Sequence, residues 1–496
     1  MSFFRNFVFL CVIGVLSVNA HAKESISIKD FGAVPNDNKD DLAAIQKCID
    51  SAAKRGVACY MPAGKYNLSG DLWLGSNSEV YGEGNKTELV FANGMIRALK
   101  NGSSNFYYTG HYNNEIVPGK FSKTVLVENA EKGNRVVQIH SSTDFSTGDW
   151  VYVYNNRKDT WTILEKLVKG KNTPAYLNGS KDVLVKGQVA KIIKIDGNKV
   201  TLDREIDSLY PAKSTFGKLT GSRNIYIHDF SIKNHNSAKR AYAILFEQPF
   251  NVRFERLKIE AKGGGICLLH YAFRCLIKDC DITNSANYSV KISNFCSENQ
   301  VLNNNIKFVT GGDCSVLVMM YSKKNTIEGN KINCLSKLKN YEGGVFVHAT
   351  SFENRVIRNT VTGGTACIGA YYGANNNIFR DNKGFKCNTG ITAWYAGTRN
   401  TFENNKLFFS DNQRDNNKKV GFYTHCSGEL ELLDNTFSGK MDIGALLSPK
   451  KGSKLTRKKH QQYLVVWTGL GFKSNLMMNK NTFRSSKTNF KEFLFE

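Results

Sequence analysis

Beyond residue 22 this 496-residue chain has no apolar run long enough to span a membrane. Acid is in deficit: 43 Asp and Glu stand against 67 Lys and Arg, a formal net charge of +24. The twelve cysteines show no zinc-like spacing. Between the short apolar runs of residues 221–439 there is no stripe of helical period, nor the Leu-x-x-Leu-x-Leu core of a leucine-rich repeat. These absences exclude a bundle of membrane helices, a zinc-stapled scaffold and a layered α/β fold.

What is there is repetition. The segments Arg223-Asn-Ile-Tyr-Ile-His-Asp-Phe-Ser-Ile232, Asn251-Val-Arg-Phe-Glu-Arg-Leu-Lys-Ile259, Cys275-Leu-Ile-Lys-Asp-Cys-Asp-Ile282 and Asn299-Gln-Val-Leu-Asn-Asn-Asn-Ile306 say nearly the same thing. The pattern returns with its last apolar residue at Ile332, Val361, Leu407 and Phe437, and in degenerate form near Gly384. Steps of about 23 to 30 residues mark a solenoid. Each step holds short alternating runs broken by Asn, Asp and Gly. Strands joined by such short turns at a constant period must coil, each stacking on its copy in the next turn. The Asn of the Asn-Asn-x-Ile phrase then marks a tight bend where a stacked amide bonds the turns above and below. The expected fold is all-β, a parallel β-helix solenoid.

The chain opens with Arg5, an apolar run from Phe7 to Val18 and the small-x-small triplet Ala20-His21-Ala22. This reads as a signal peptide over residues 1–22, so the expectation is a secreted or periplasmic protein. Cys11 lies inside the apolar run, not at a cleavage site, which argues against a lipoprotein. Without Cys11 eleven of the twelve cysteines remain, an odd number for an exported chain. Most serve as small apolar filler within repeats; Cys48 and Cys59 flank a helix-to-strand connection and are candidates for a bridge. An exported protein this basic is suited to an acidic polysaccharide, not to nucleic acid.

The stretch Ile28-Lys-Asp-Phe-Gly-Ala-Val-Pro-Asn-Asp-Asn-Lys-Asp-Asp-Leu-Ala-Ala-Ile45, continued at Met61-Pro-Ala-Gly-Lys-Tyr66, resembles the N-terminal signature of the pectate-lyase-like superfamily. That resemblance implies a right-handed β-helix whose first coil is covered by a capping helix. Asp40 or Asp41 suits the N-cap, with Leu42, Ile45 and Ile49 on the apolar face, and both aspartates are then structural. Residues 23–109 form the cap and first coils. Residues 110–222 interrupt the repeats; Phe145–Val153 and Gln188–Leu202, with an Asp-Gly-Asn turn, read as strands of an inserted β-subdomain that walls a cleft. Residues 223–445 are the β-helix core. Residues 446–496 comprise a basic loop (Ser448 to His460), a last coil from Tyr463 to Phe483 and a tail.

Stacking places equivalent residues about 4.8 Å apart. Two columns, Ala243–Ile266–Val290–Val316–Val345–Ile368–Ile391 and Leu245–Leu268–Ile292–Val318–Val347–Ala370–Ala393, are expected to face inward. The alternate positions then face outward: Ile244, Cys267, Lys291, Leu317, Phe346, Gly369 and Thr392 in one column, Phe246, Leu269, Ser293, Met319, His348, Tyr371 and Trp394 in the next. An exposed strip with Lys291, His348, Tyr371 and Trp394 on nearby coils suits sugar rings. His270, Tyr321, Tyr372, Tyr395 and His425 enrich its edge, Arg240 and Lys262 lie in nearby turns, and Glu247 is the clearest of the few other acidic residues on this face. Asp313 and Glu342 fall at the same place on adjacent coils, where two carboxylates can share a proton, act as acid and base, or hold Ca²⁺.

Two chemistries follow. β-Elimination on a uronate polymer needs a cation for the carboxylate, a base for the C5 proton and an acid for the leaving oxygen; Lys291, His348 and Tyr371 are the candidates. Hydrolysis needs paired carboxylates, for which Asp313 and Glu342 are the candidates. A polymer-binding scaffold or adhesin is a third reading, and C5-epimerisation a fourth. The Asn-Thr-Asp and Gly-His-Gly motifs of polygalacturonase-like hydrolases are absent from the repeats, as are the Asp-Pro-His of alginate epimerases and the Trp-x-Asp-His of classical pectate lyases. No catalytic residue carries over from the resemblance. Elimination is the leading expectation; oligomeric state is not legible.

Overall fold

The structure, a computed structural model, describes residues 24–98, 123–155, 186–238, 241–309, 314–335, 343–394, 399–410, 418–425, 430–448, 454–458, 462–468 and 473–495. It is a right-handed parallel β-solenoid of about twelve turns. A 12-stranded sheet supplies one strand per turn and a 25-stranded sheet wraps the remaining walls. The recurring apolar residue is the rung itself: Ile232, Ile259, Ile282, Ile306, Ile332, Val361, Gly384, Leu407, Phe437 and Phe483 pair in unbroken parallel register. Gly384 breaks the apolar pattern for a reason of space. A Cβ there would stand 2.5 Å from Leu407 Cδ2 and 2.7 Å from Cys367 Sγ, so the thiol fills the volume a side chain would take.

Each coil is held at two bends by asparagine. Asn304, Asn330, Asn359, Asn382, Asn405, Asn435 and Asn481 form one ladder, in which each side-chain amide donates to the next Oδ1 at 2.9–3.1 Å. A second ladder runs Asn299, Asn325, Asn354, Asn377, Asn400 at 2.9–3.0 Å. The first is the expected Asn-Asn-x-Ile bend. The second is built from the Asn that opens most of the repeats, as at Asn299, Asn325, Asn354 and Asn400. All of these amides except that of Asn481 are buried and so need every partner they have.

The cap is as expected. The helix Leu42–Arg55 buries Ile45, Cys48, Ile49 and Ala52 on the first coil. Asp41 accepts from the backbone N–H of Val34 (2.9 Å) and Asn67 (3.3 Å), and Asp40 from those of Leu42 (3.2 Å) and Ser69 (3.0 Å). Both carboxylates therefore tie the cap to the solenoid.

The insertion is a six-stranded antiparallel sheet that closes on itself. Its edge strands Lys123–Val125 and Val136–Gln138 meet through the Leu126–Ile139 bridge and the His140 N–H to Val125 carbonyl bond at 2.9 Å. This small barrel has its own core, including Val137, Val151, Val153, Ile192 and Phe216, and docks on the solenoid through an aromatic seam. Tyr152 stacks on Tyr271 at 4.8 Å, Trp150 packs on Phe250 at 4.3 Å, and Arg204 pairs with Glu298 at 2.8 Å while lying over Phe273. Asp207 and the buried Lys323 form an ion pair across the seam.

At the C-terminal end the basic segment is not a plain loop. Lys454–Lys458 and Gln462–Thr468 pair as an antiparallel hairpin, and the last coil begins at Lys473–Asn479. An alternating run carries the same signature in a hairpin as in a coil, so its period cannot tell the two apart.

Candidate functional site on the outer face of the twelve-stranded sheet

Registers decide which side chains leave the solenoid. From Ile266 onward the inward columns are as expected, with Ile266, Val290, Val316, Val345, Ile368 and Ile391 in one line. The strand Tyr242–Glu247 differs. Ile244 pairs with Ile266 and Phe246 with Leu268, so these two fill the interior, and Leu245 and Glu247 point out. The expectation is one residue off there. Ala241-Tyr-Ala-Ile-Leu-Phe246 is apolar throughout, so alternation gives no phase. Packing of Phe246 on Phe254 (5.2 Å between rings) sets it. The slip brings a carboxylate, Glu247, into the outward column that holds Leu269, Ser293, Met319, Tyr371 and Trp394.

The strip also extends further toward the cap than expected. Trp73 and Arg97 precede Leu245 in the outward column shared with Cys267 and Lys291. Arg97 pairs with Asp71 at 3.3 Å and lies 4.9 Å over the Trp73 ring. Leu72-Trp-Leu74 was the available signal: apolar residues flank an outward position, as in Ile266-Cys-Leu268 and Val290-Lys-Ile292 on later coils.

The outward residues are not open to solvent as expected. Lys291 is 2% and Tyr371 4% exposed; His348 and Trp394 are half-buried. Leu317, Met319, Phe346, Tyr371 and Tyr372 make a second apolar layer outside the wall, with Trp394 against it. The rings interlock and do not lie flat in a row. His348 and Tyr371 are tilted by 36° at 4.7 Å, and Tyr371 meets Trp394 edge-on at 83° and 6.0 Å. Large outward side chains 4.8 Å apart bury one another by contact alone.

The ionisable residues gather on the coils nearer the cap. Lys291 Nζ lies 5.4 Å over the Tyr288 ring. His270, in the turn after Leu269, has its Nδ1 3.4 Å from Asn294 Nδ2, and Asn294 Oδ1 accepts from Ser293 Oγ at 2.5 Å. Burial, reinforced by the charge of Lys291, pushes the His270 pKa down to about 4, which keeps the imidazole neutral at pH 7. Burial raises the Glu247 carboxyl above its ordinary value, with Arg97 opposing. Cys267, between them, feels the charges of both Lys291 and Glu247, and burial pushes its thiol up to about 12. A cation, a neutral imidazole and a carboxyl biased toward its acid form thus stand on neighbouring coils. Glu247 is the one carboxylate in these two outward columns among the described residues.

Other expected positions scatter. Tyr321 is 9% exposed and packs with Phe295 and Phe352 in the barrel seam, away from the strip. Lys262 is exposed in the turn ahead of Gly264–Leu269, at the opposite end of the strand from His270. Asp313, Glu342, Arg240 and Tyr395 lie outside the described residues, as does the side chain of His425, which follows Trp394 in register. No group of three or more His, Cys, Asp or Glu among the described residues forms a metal cradle; the Ca²⁺ expectation rested on Asp313 and Glu342. No described helix is long and apolar enough to cross a membrane. Cys48 and Cys59 are buried thiols with sulfurs 2.8 Å apart.

Comparison with known proteins agrees with this architecture. Residues 25–241 match the family described as rhamnogalacturonase A/epimerase, pectate lyase-like, and residues 242–407 match the right-handed β-helix region. A 66-residue segment is 42% identical to mannuronan C5-epimerase AlgE2 of Azotobacter vinelandii, covering 12% of this chain and only 7% of that protein. Among solved structures, the tailspike gp61 of Pseudomonas phage phi297 superposes with a TM-score of 0.58 at 14% identity, over 87% of this chain and 78% of that one. The A-module of mannuronan C-5 epimerase AlgE6 from Azotobacter vinelandii gives 0.50 at 13%, over 93% and 99%. At these identities the solved structures speak to the fold.

Proposed function

The chain belongs to the pectate-lyase-like superfamily of right-handed β-helices, and from that premise we propose that it abstracts the C5 proton of uronate residues in an acidic polysaccharide, with β-elimination as the outcome. The observation that carries the proposal is the grouping of Lys291, neutral His270 and Glu247 on one outer face.

Each has a role its environment suits. Lys291 neutralises the uronate carboxylate, so that charge developing at C5 is spread and stabilised in a site with little water. His270 accepts the C5 proton; held neutral, it is competent at neutral pH. The electron pair left at C5 forms the C4–C5 double bond as the C4–O bond breaks. Glu247, biased toward its protonated form, delivers a proton to the departing oxygen. His348 and Trp394, half-buried against Tyr371 and Tyr372, line the track beyond this centre and offer ring edges to neighbouring sugars.

C5-epimerisation is the second reading, favoured by the mannuronan C5-epimerase likeness. It shares the first step and differs in returning a proton to the opposite face of C5. The apolar amino-terminal run and net charge of +24 support action outside the cytoplasm, where such polymers lie.

The test is incubation with alginate, polygalacturonate and other acidic polymers in D₂O. Ultraviolet absorbance and reducing ends rising together mean elimination. Deuterium at C5 without cleavage means epimerisation. Reducing ends alone mean hydrolysis and overturn the proposal, as does retention of polymer without any chemistry.

A further inference from the structure

A different wall of the solenoid carries a surface that the proposed chemistry does not use. The strands that end each repeat motif point two columns outward. One runs Asn305, Lys331, Thr360, Lys383, Lys406, Thr436, Thr482 and the other Lys307, Asn333, Thr362, Phe385, Phe408, Ser438, Arg484. Neither column contains an Asp or a Glu over these coils. Lys307, Lys331, Lys383, Lys406 and Arg484 are all exposed, and among the described residues none of them has an ion-pair partner. Phe385 and Phe408 are paired in register and 37% and 49% exposed.

The adjoining wall is built differently, which shows that the segregation is local and not only the basic composition of the chain. There Glu328, Glu353 and Glu403 are matched by Arg358, Lys324 and Arg380. Cations without local acids, spaced by coils of about 4.8 Å and extending over roughly 29 Å, make a straight and rigid rail. Two adjacent exposed phenyl rings on the same rail add apolar contact, which a simple ion has no use for but a saccharide ring does.

We propose that this face is a non-catalytic binding rail for a strand of acidic polysaccharide, a second contact apart from the reactive face. The polymer class rests on the function proposed above; the rail itself rests on charge and exposure. Holding one stretch of a polymer on the rail raises the local concentration of other stretches at the reactive face. Contact through unburied cations also makes retention sensitive to salt.

The full chain and two variants, Lys307→Gln/Lys331→Gln/Lys383→Gln/Lys406→Gln and Phe385→Ser/Phe408→Ser, are applied to immobilised alginate and polygalacturonate, with duplex DNA as a competing polyanion. The quadruple variant is expected to lose at least tenfold in affinity and most of its salt dependence. The double variant is expected to lose affinity for the polysaccharides but not for DNA. Melting temperature and turnover of short uronate oligomers should stay at the parent's values in both. Unchanged retention by the quadruple variant, with turnover intact, sinks the rail and leaves the proposed function standing. Tighter binding of DNA than of either polysaccharide, unaffected by loss of the phenyl rings, overturns the assignment to saccharide. A parent chain that neither retains nor converts any acidic polymer overturns the proposed function itself.

Discussion

Replacing Asn359 with alanine tests whether the asparagine ladder holds the coils in register. Its Oδ1 accepts from the backbone N–H of Asn330 at 3.0 Å and from Asn330 Nδ2 at 2.9 Å. Its own Nδ2 donates to the Ile327 carbonyl at 2.9 Å and to Asn382 Oδ1 at 3.1 Å. Alanine removes all four bonds and leaves the backbone N–H of Asn330 facing a void where water has little access, while Asn330 Nδ2 keeps the carbonyls of Val301 at 2.9 Å and Glu328 at 3.2 Å. The orphaned buried donor costs about 1–3 kcal/mol and each of the other three lost bonds about 0.5–1.5 kcal/mol, so the expected loss is about 4 kcal/mol. A solenoid distributes stability between neighbouring turns, so the damage should be local. Hydrogen exchange of the strands Thr326–Glu328, Arg355–Ile357 and Ile378–Arg380 should accelerate roughly a thousandfold, as about 1.4 kcal/mol corresponds to each decade. Cap helix amides should be unaffected. The exposed Lys331→Ala on an adjoining coil is the control, expected within about 0.5 kcal/mol of the parent. Exchange at those strands changing less than tenfold, or no more than in the control, would refute the assigned role of the ladder.

Other perturbations probe the site and its supports. Lys291→Met should lower kcat on a uronate polymer by roughly two to three decades with melting unchanged, by analogy with loss of an oxyanion-stabilising donor; wild-type turnover in this variant removes Lys291 from the chemistry. His270 titrates near 4 when folded and near 6.5 unfolded, so between those values the unfolded chain holds the extra proton. Stability from this group is complete above about pH 6.5 and lost as pH falls toward 4, about 3 kcal/mol in all. His270→Gln should flatten that part of a pH–denaturation curve, and an unaltered slope would count against it. Gly187→Ala sets a Cβ 2.5 Å from the Phe295 ring in the barrel seam, so it should destabilise by about 1–3 kcal/mol and expose seam tyrosines to quenching; a neutral effect would mean that the barrel docks more loosely. Oxidised glutathione during refolding should join Cys48 to Cys59, read as loss of two hydrogens in the Cys48–Cys59 peptide; equal loss after Cys48→Ser would place the bridge elsewhere.

The sequence by itself determined the coil. A period of 23 to 30 residues ending in Ile or Val, with Asn at the bend, admits one way to bury its apolar side and satisfy its amides. Rung register, cap and ladder all follow from that local consistency. The phase of Tyr242–Glu247 was not legible, because six consecutive apolar residues have no alternation to read, and Phe254 across the interior chose it. Nor was the burial of the outward strip, since exposure depends on neighbours from several coils that no single repeat contains. The same holds for Tyr321, an outward ring by pattern but a seam residue once the barrel docks against its turn. The grouping of Lys291, His270 and Glu247 is likewise tertiary. Their separations in sequence are arbitrary, and only winding at one coil per strand spacing brings them to one face, where burial lowers the proton affinity of His270 and raises that of Glu247.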